Sequence, residues 1–368
     1  MPARRRASLP GTLPNTLPGA LRRAGVPGHA VIGEATAFQV RVPVPDLGAV
    51  AGSNAGIPGV WRIDSGQAGP HAVITCLVHG NEFTGASAMA RWLRGGLRPA
   101  RGVLTLVFAN LDAFARFDPA DPTLSRYVDE DMNRVWSPGH LDSRRDSMEL
   151  RRARALRPVV EAADALLDLH SMLWPSDPLI LTQATPAALD LARAIGAIGT
   201  PGTIVADAGH PEGPRLIDHA PFTTPGTPRV ALLAEAGLHW EPGTEAVAEA
   251  CAGGFLRALG MAPSEGPWGM AWPMAAGAAP GPSSGRAPML APAPVTVWRV
   301  TRAVTAASRR FAFTGAFRGG VIIPQAGTLI ARDGEAEIRT PHDDCLLVMP
   351  SPQVMRGHVA VRLARRET

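Results

Sequence analysis

The chain has 368 residues, 46% hydrophobic and 18% charged, which is enough to bury a large core and far from the polar, highly charged balance of a disordered chain. Its formal net charge of +4 includes 36 basic residues that are all arginine; no lysine occurs. That absence excludes Schiff-base and pyridoxal-phosphate enzymes, P-loop NTPases, protein kinases and carriers of biotin or lipoate, each of which needs a lysine at the chemistry.

Residues 1–35 repeat Leu-Pro and Pro-Gly steps that break helices, so a loose Pro- and Arg-rich arm is expected there. No segment approaches about 18 uninterrupted apolar residues, and no apolar signal core follows the first arginines, so we expect a cytoplasmic chain without a membrane partner. Cys76, Cys251 and Cys345 are far apart and odd in number, which suits buried fillers better than a disulfide framework or a thiolate metal site. The sequence pI is about 9.7, yet the arginines are scattered without interleaved aromatics, and no nucleic acid partner is expected.

Residues 36–262 read as one catalytic α/β domain. The apolar runs Ala72–Val78, Val103–Phe108, Ala165–Leu169 and Val230–Ala234 alternate with amphipathic stretches at Glu82–Leu93, Asp146–Arg157 and Glu245–Leu259. Such a pattern predicts a mixed, largely parallel sheet with helices on both faces. Residues 263–294 are Ala, Pro and Gly with few charges and read as a linker. Residues 295–368 carry short β-like runs, from Val295–Val300 to His358–Leu363, split by Gly, Asp and Pro turns, and read as a small all-β domain.

Three strand ends carry the chemistry. The first run leads into His79-Gly80-Asn81-Glu82 at the start of a helix. This spacing alone recurs by chance in many chains, and it is not a zinc-protease helix, because Phe83 follows Glu82. The third run ends in Asp168-Leu169-His170, and the fourth leads into Glu235-Ala236-Gly237. Ends of parallel strands face one edge of the sheet, where ligands collect, so His79, Glu82, His170 and Glu235 are expected to converge. Two histidines and a carboxylate make a catalytic zinc site with an open position, and Asp168, two residues before His170 on the same strand face, suits a carboxylate that orients its imidazole. A further segment, Ser125 to Arg134, holds two arginines and an asparagine in a turn-like stretch that otherwise reads as a solvated loop.

Taken together, His-Gly-Asn-Glu, Arg126-Tyr-x-Asp-x-Asp-x-Asn-Arg134, Asp-Leu-His and Glu-x-Gly occur in the order found in the succinylglutamate desuccinylase and aspartoacylase family, relatives of the zinc carboxypeptidases, and the chain resembles that family from about Ala72 to Gly260. The resemblance implies one zinc per chain on His79, Glu82 and His170, Glu235 as general base, Arg126 as the group that polarises the scissile carbonyl, and Asn133 with Arg134 as the pair that holds a substrate carboxylate. It also implies that the C-terminal β region shields the cleft. Two departures stand out: the aspartoacylase branch places a further arginine some ten residues before the base, where this chain has Pro225 with Arg229 nearest, and its late tyrosine has no counterpart, because Tyr127 is the sole tyrosine. His239 and Trp240, just past Glu235, read as loop residues, with a place in that pocket as the alternative.

The expected reaction is zinc-dependent hydrolysis of the amide of a small, carboxylate-bearing N-acyl amino acid or related compound. A metallocarboxypeptidase-like peptide hydrolase and a non-catalytic binding protein are the alternatives, and assembly into a homo-oligomer stays open.

Overall fold

Every residue of the strand Ala165–Met172 is buried, as expected of a strand covered on both faces. The computed structural model describes residues 38–196, 202–262 and 294–367. The expected arm at 1–35 lies outside these residues, as does the expected linker apart from Pro294. The strands are β1 (Val60–Asp64), β2 (His71–Cys76), β3 (Val103–Phe108), β4 (Ala165–Met172), β5 (Leu179–Thr182), β6 (Thr203–Ala206), β7 (Val230–Leu238), β8 (Thr296–Thr305), β9 (Phe311–Phe313), β10 (Ile322–Ile323), β11 (Leu329–Asp333), β12 (Ala336–Arg339), β13 (Cys345–Val348) and β14 (Val359–Arg366). The helices are α1 (Thr84–Arg94), α2 (Leu111–Phe114), α3 (Pro138–Leu141), α4 (Met148–Glu161), α5 (Pro186–Gly196), α6 (Ala220–Thr223) and α7 (Thr244–Ala258).

Among the described residues, eleven strands form one sheet in the order β1-β3-β2-β4-β7-β5-β6-β8-β14-β13-β10. The block β3-β2-β4-β7 is parallel, with β1 antiparallel on its outer side and β5 antiparallel to β7. Helices cover both faces. Leu150, Ala153, Leu156 and Val160 of α4 share a core with Val73, Leu166 and Ala231. Gly85 of α1 lies against Leu169 and Cys76, three positions on from Leu166 and Val73 and therefore on the opposite face. α7 packs on α1, α5, β4 and β7.

The strands after residue 294 continue this sheet. β8 pairs in parallel with β6, and β14, β13 and β10 follow in antiparallel order, so the otherwise open edge of β6 is capped. Trp298, Leu346, Val348 and Ala364 join the same core as α4. β12, β11 and β9 form a separate antiparallel sheet. No helix among the described residues is long and apolar enough to cross a membrane.

Candidate metal centre and catalytic cleft

Register places the site. Cys76 of β2 pairs with Leu169 of β4, and His170 pairs with Glu235 of β7, so His79 in the turn after β2 meets His170 and Glu235 at one sheet edge. The turn is tight: Leu77 holds φ 57°, a left-handed conformation that costs a leucine on the order of 1–3 kcal/mol and is tolerated where the surroundings enforce it. Gly80 is required for a different reason. A Cβ there would fall 2.4 Å from Phe114 N and 2.5 Å from Ser125 O, and its own N–H donates to Arg126 O at 3.0 Å. The missing side chain lets the Arg126 segment run against the His79 turn.

His79, Glu82 and His170 are buried, and one ligand atom from each lies within 4.8 Å of the others. His79 Nδ1 is 2.7 Å from Glu82 Oε1, and His170 Nδ1 is 2.9 Å from Glu82 Oε2. The far nitrogens face carboxylates: His79 Nε2 is 3.0 Å from Asp131 Oδ1, and His170 Nε2 is 2.7 Å from Asp168 Oδ2. With the Nε2 protons held by these carboxylates, both Nδ1 atoms and the Glu82 oxygens would be free to bind a cation placed between them, in place of the Nδ1 protons. Glu235 lies alongside, and its buried Oε2 has no hydrogen-bond partner among the described residues. The donor set of two imidazoles and a carboxylate with an open position fits zinc.

Electrostatics follow from this crowding. Burial pushes the Glu82 carboxyl up, but the imidazoles of His79 and His170 outweigh it and hold the group well below the usual carboxylate range. Glu235 goes the other way: burial, reinforced by the charge of Glu82, raises it to about 8 against the opposing pull of His170 and Arg126. Arg126 Nη1 donates to Glu82 Oε1 at 3.2 Å and Nη2 to Asp131 Oδ2 at 3.1 Å.

The remaining expected residues are close at hand. Asn133 is buried, and its Oδ1 accepts from Leu216 N at 2.8 Å. Arg134 donates from Nη1 to Asn133 O at 2.7 Å and sets Nη2 3.1 Å from His210 Nε2. Arg229 is elsewhere: it precedes β7 at the strand's opposite end and donates to Glu161 O at 2.6 Å, so it does not replace the family's further arginine.

Sequence reasoning missed three contributors. Asp131 sat inside the recognised segment without a role. His239, read foremost as a loop residue, has Nε2 3.9 Å from Glu82 Oε1 and Nδ1 2.7 Å from Ser171 Oγ. Burial, with Arg126 adding and Glu82 opposing, lowers its pKa to about 4. Glu149 of α4 is fully buried and accepts from the backbone N–H groups of Val128, Asp129 and Glu130 at 2.7, 3.0 and 3.2 Å and from Asn110 Nδ2 at 3.0 Å. It clamps the loop that delivers Arg126 and Asp131. An acidic residue in the first turn of a predicted helix was the available signal, and it reads as a dipole effect first.

Residues 68–220 match the model of the succinylglutamate desuccinylase/aspartoacylase catalytic domain, a span that holds all three candidate ligands and stops short of Glu235. The chain matches none of the curated proteins. Similar solved structures include a succinylglutamate desuccinylase from Vibrio parahaemolyticus, at 15% identity and TM-score 0.57 over 82% of each chain. An aspartoacylase family protein from Mesorhizobium loti shares 17% identity at TM-score 0.56, covering 84% of this chain and 89% of that one. The product-bound ectoine utilization protein EutE (DoeB) from Ruegeria pomeroyi shares 16% at TM-score 0.53, covering 81% and 86%. At these identities the neighbours establish the fold, and the motif order agrees with the matched span. Residues 68–220 are thus similar to the catalytic domain of the succinylglutamate desuccinylase/aspartoacylase family, and the fold is the one its solved members share.

Proposed function

We propose that the protein hydrolyses the amide bond of a small N-acyl amino acid or related carboxylate-bearing compound, with one zinc ion held by His79, Glu82 and His170. The observation that supports this most is the cluster itself: two buried imidazoles and a carboxylate whose ligand atoms lie within 4.8 Å of one another, with Glu235 Oε2, unpartnered among the described residues, buried on the neighbouring strand. Zinc bound there supplies Lewis acidity, which brings the pKa of water from about 15.7 toward about 7.

The chain's own groups do the rest. Glu235 takes the proton of the attacking water and returns it to the leaving amine, a contribution of about 10²- to 10⁴-fold for general acid–base catalysis. Arg126 donates to the acyl oxygen as charge builds on it, which for one such donor is worth about 10²- to 10³-fold. Asp168 and Asp131 hold the two imidazoles in one orientation and tautomer. Arg134 offers a planar fork and Asn133 a neutral donor to the substrate carboxylate, which fixes the scissile bond over the ligand cluster. Amide and water become a carboxylate and an amine. A cytoplasmic location belongs to this proposal, since Cys76, Cys251 and Cys345 are buried and unbonded, as suits a reducing compartment.

The test is a screen of the zinc-loaded protein against N-acetyl and N-succinyl amino acids beside dipeptides. Turnover of the acylated amino acids is expected. Turnover confined to dipeptides selects the peptide hydrolase, and no turnover of either class rejects the reading.

A further inference from the structure

Next to the ligand cluster lies a group of arginines whose donors are only partly paired among the described residues. Arg215 is fully engaged: Nη1 donates to Asp207 Oδ2 at 3.0 Å, and Nε and Nη2 donate to Asp218 at 2.8 and 3.0 Å. Arg134 is not. Its Nε is buried without a hydrogen-bond partner, and Glu212, its closest carboxylate among the described residues, stands 3.9 Å away. Glu212 is itself held by Val359 N at 2.8 Å and by His358 Nδ1 at 3.3 Å.

His210 sharpens the point. Glu212 N donates to His210 Nδ1 at 3.2 Å, so the ring proton of the neutral imidazole resides on Nε2. That nitrogen faces Arg134 Nη2 at 3.1 Å, donor against donor. Protonating the ring would only add a second contact of this kind. Arg362 of β14 is buried too, with Nε 3.1 Å from Asp207 Oδ2 but not aligned as a hydrogen bond. Three N–H groups, Nε and Nη2 of Arg134 and Nε2 of His210, are thus left to share an acceptor that the described residues do not provide.

We propose that Arg134, His210 and Arg362 form the subsite that receives the substrate carboxylate, with Arg134 and His210 donating to its two oxygens and Arg362 contributing charge from the C-terminal strands. The inference rests on the deacylase reading and adds to it two recognition residues, one from the loop after β6 and one from β14. A water molecule would accept the same hydrogen bonds but leave the charge of Arg134 uncompensated, whereas a planar carboxylate supplies both geometry and charge. Consistent with a positive pocket, burial together with the charges of Arg134, Arg362 and Arg215 drives the His210 pKa far below the ordinary imidazole value. Asp131, bonded to His79, acts electrostatically on both Arg134 and His210, which places the subsite beside the ligand cluster. Arg134 and His210 are partly exposed and open to a ligand.

The test is calorimetric titration of the zinc-loaded full chain with N-(methylsulfonyl)glycine and its carboxamide, probes that resist hydrolysis and differ only in the carboxylate. The wild type should prefer the acid. His210→Phe keeps a ring but loses the N–H, and should weaken the acid about fivefold or more while leaving the amide unchanged. His210→Gln should recover part of the loss, and Arg362→Gln should weaken the acid by about threefold or more. Equal affinity of the wild type for both probes, or undiminished acid affinity in His210→Phe and Arg362→Gln, overturns the subsite. If His210→Phe does not fold, His210→Gln and Arg362→Gln decide on the same titration. Turnover of N-acyl amino acids with a KM untouched by His210→Phe rejects the subsite and spares the deacylase reading. Acid binding that depends on His210, without turnover, does the reverse.

Discussion

Asp131 Oδ1 and His79 Nε2 lie 3.0 Å apart, joining a loop residue to a candidate metal ligand fifty-two positions earlier in the chain. Asp168 does the same for His170. With a cation on the near ring nitrogen, each carboxylate would hold the proton on the far one. Burial pushes the Asp131 carboxyl up, but His79 and Arg126 outweigh it and keep it ionised. Asp131→Asn preserves the shape and removes the charge, so zinc affinity should fall by about 10- to 100-fold. Competition against a chelator of known affinity measures this, and an unchanged affinity would show that Asp131 serves the loop alone.

Glu235→Gln is nearly isosteric and loses only the capacity to carry a proton. Zinc content and fold should be retained, while kcat falls by at least about tenfold, the least that loss of general-base catalysis should remove. A variant that keeps more of its turnover than that assigns the base to another residue. Metal analysis on the same preparation separates a lost base from a lost ion.

Glu149→Ala removes the acceptor for three backbone N–H groups and for Asn110. Each orphaned donor costs about 1–3 kcal/mol where water cannot replace the bond, so unfolding by urea should show a loss of about 2 kcal/mol or more. Zinc affinity should drop with it, because the same loop carries Asp131. Unaltered stability would mean that the loop holds its shape without the clamp.

How much of this was legible in the chain depends on how local each signal is. β3 was readable to the residue, and β2, β4 and β7 in their apolar portions, because strands buried on both faces appear as unbroken apolar runs, but β4 and β7 run on to Met172 and Leu238, past the expected ends at Leu169 and Ala234. His79 follows β2, and His170 and Glu235 lie just past the apolar runs of β4 and β7, so their convergence at one sheet edge was readable in advance, while the role of Glu235 as base came from the resemblance alone and stays a proposal. β5 and β6 are four residues each, too short to show a period, and α5 between them went unread. The insertion of antiparallel β5 between β7 and β6 is a tertiary choice with no local signature. So is the pairing of β8 with β6, which extends the sheet into strands that read as a separate unit. Asp131, Glu149 and His210 were hidden for the same reason: a carboxylate or imidazole in a polar loop looks solvated until the fold supplies its partner.

Elemental analysis of the purified wild type beside His170→Ala tests most directly whether His79, Glu82 and His170 hold a catalytic zinc ion. About one zinc per chain is expected in the wild type, with most of it lost from the variant together with hydrolysis of N-acyl amino acids. A His170→Ala protein that keeps its full zinc content would contradict the site.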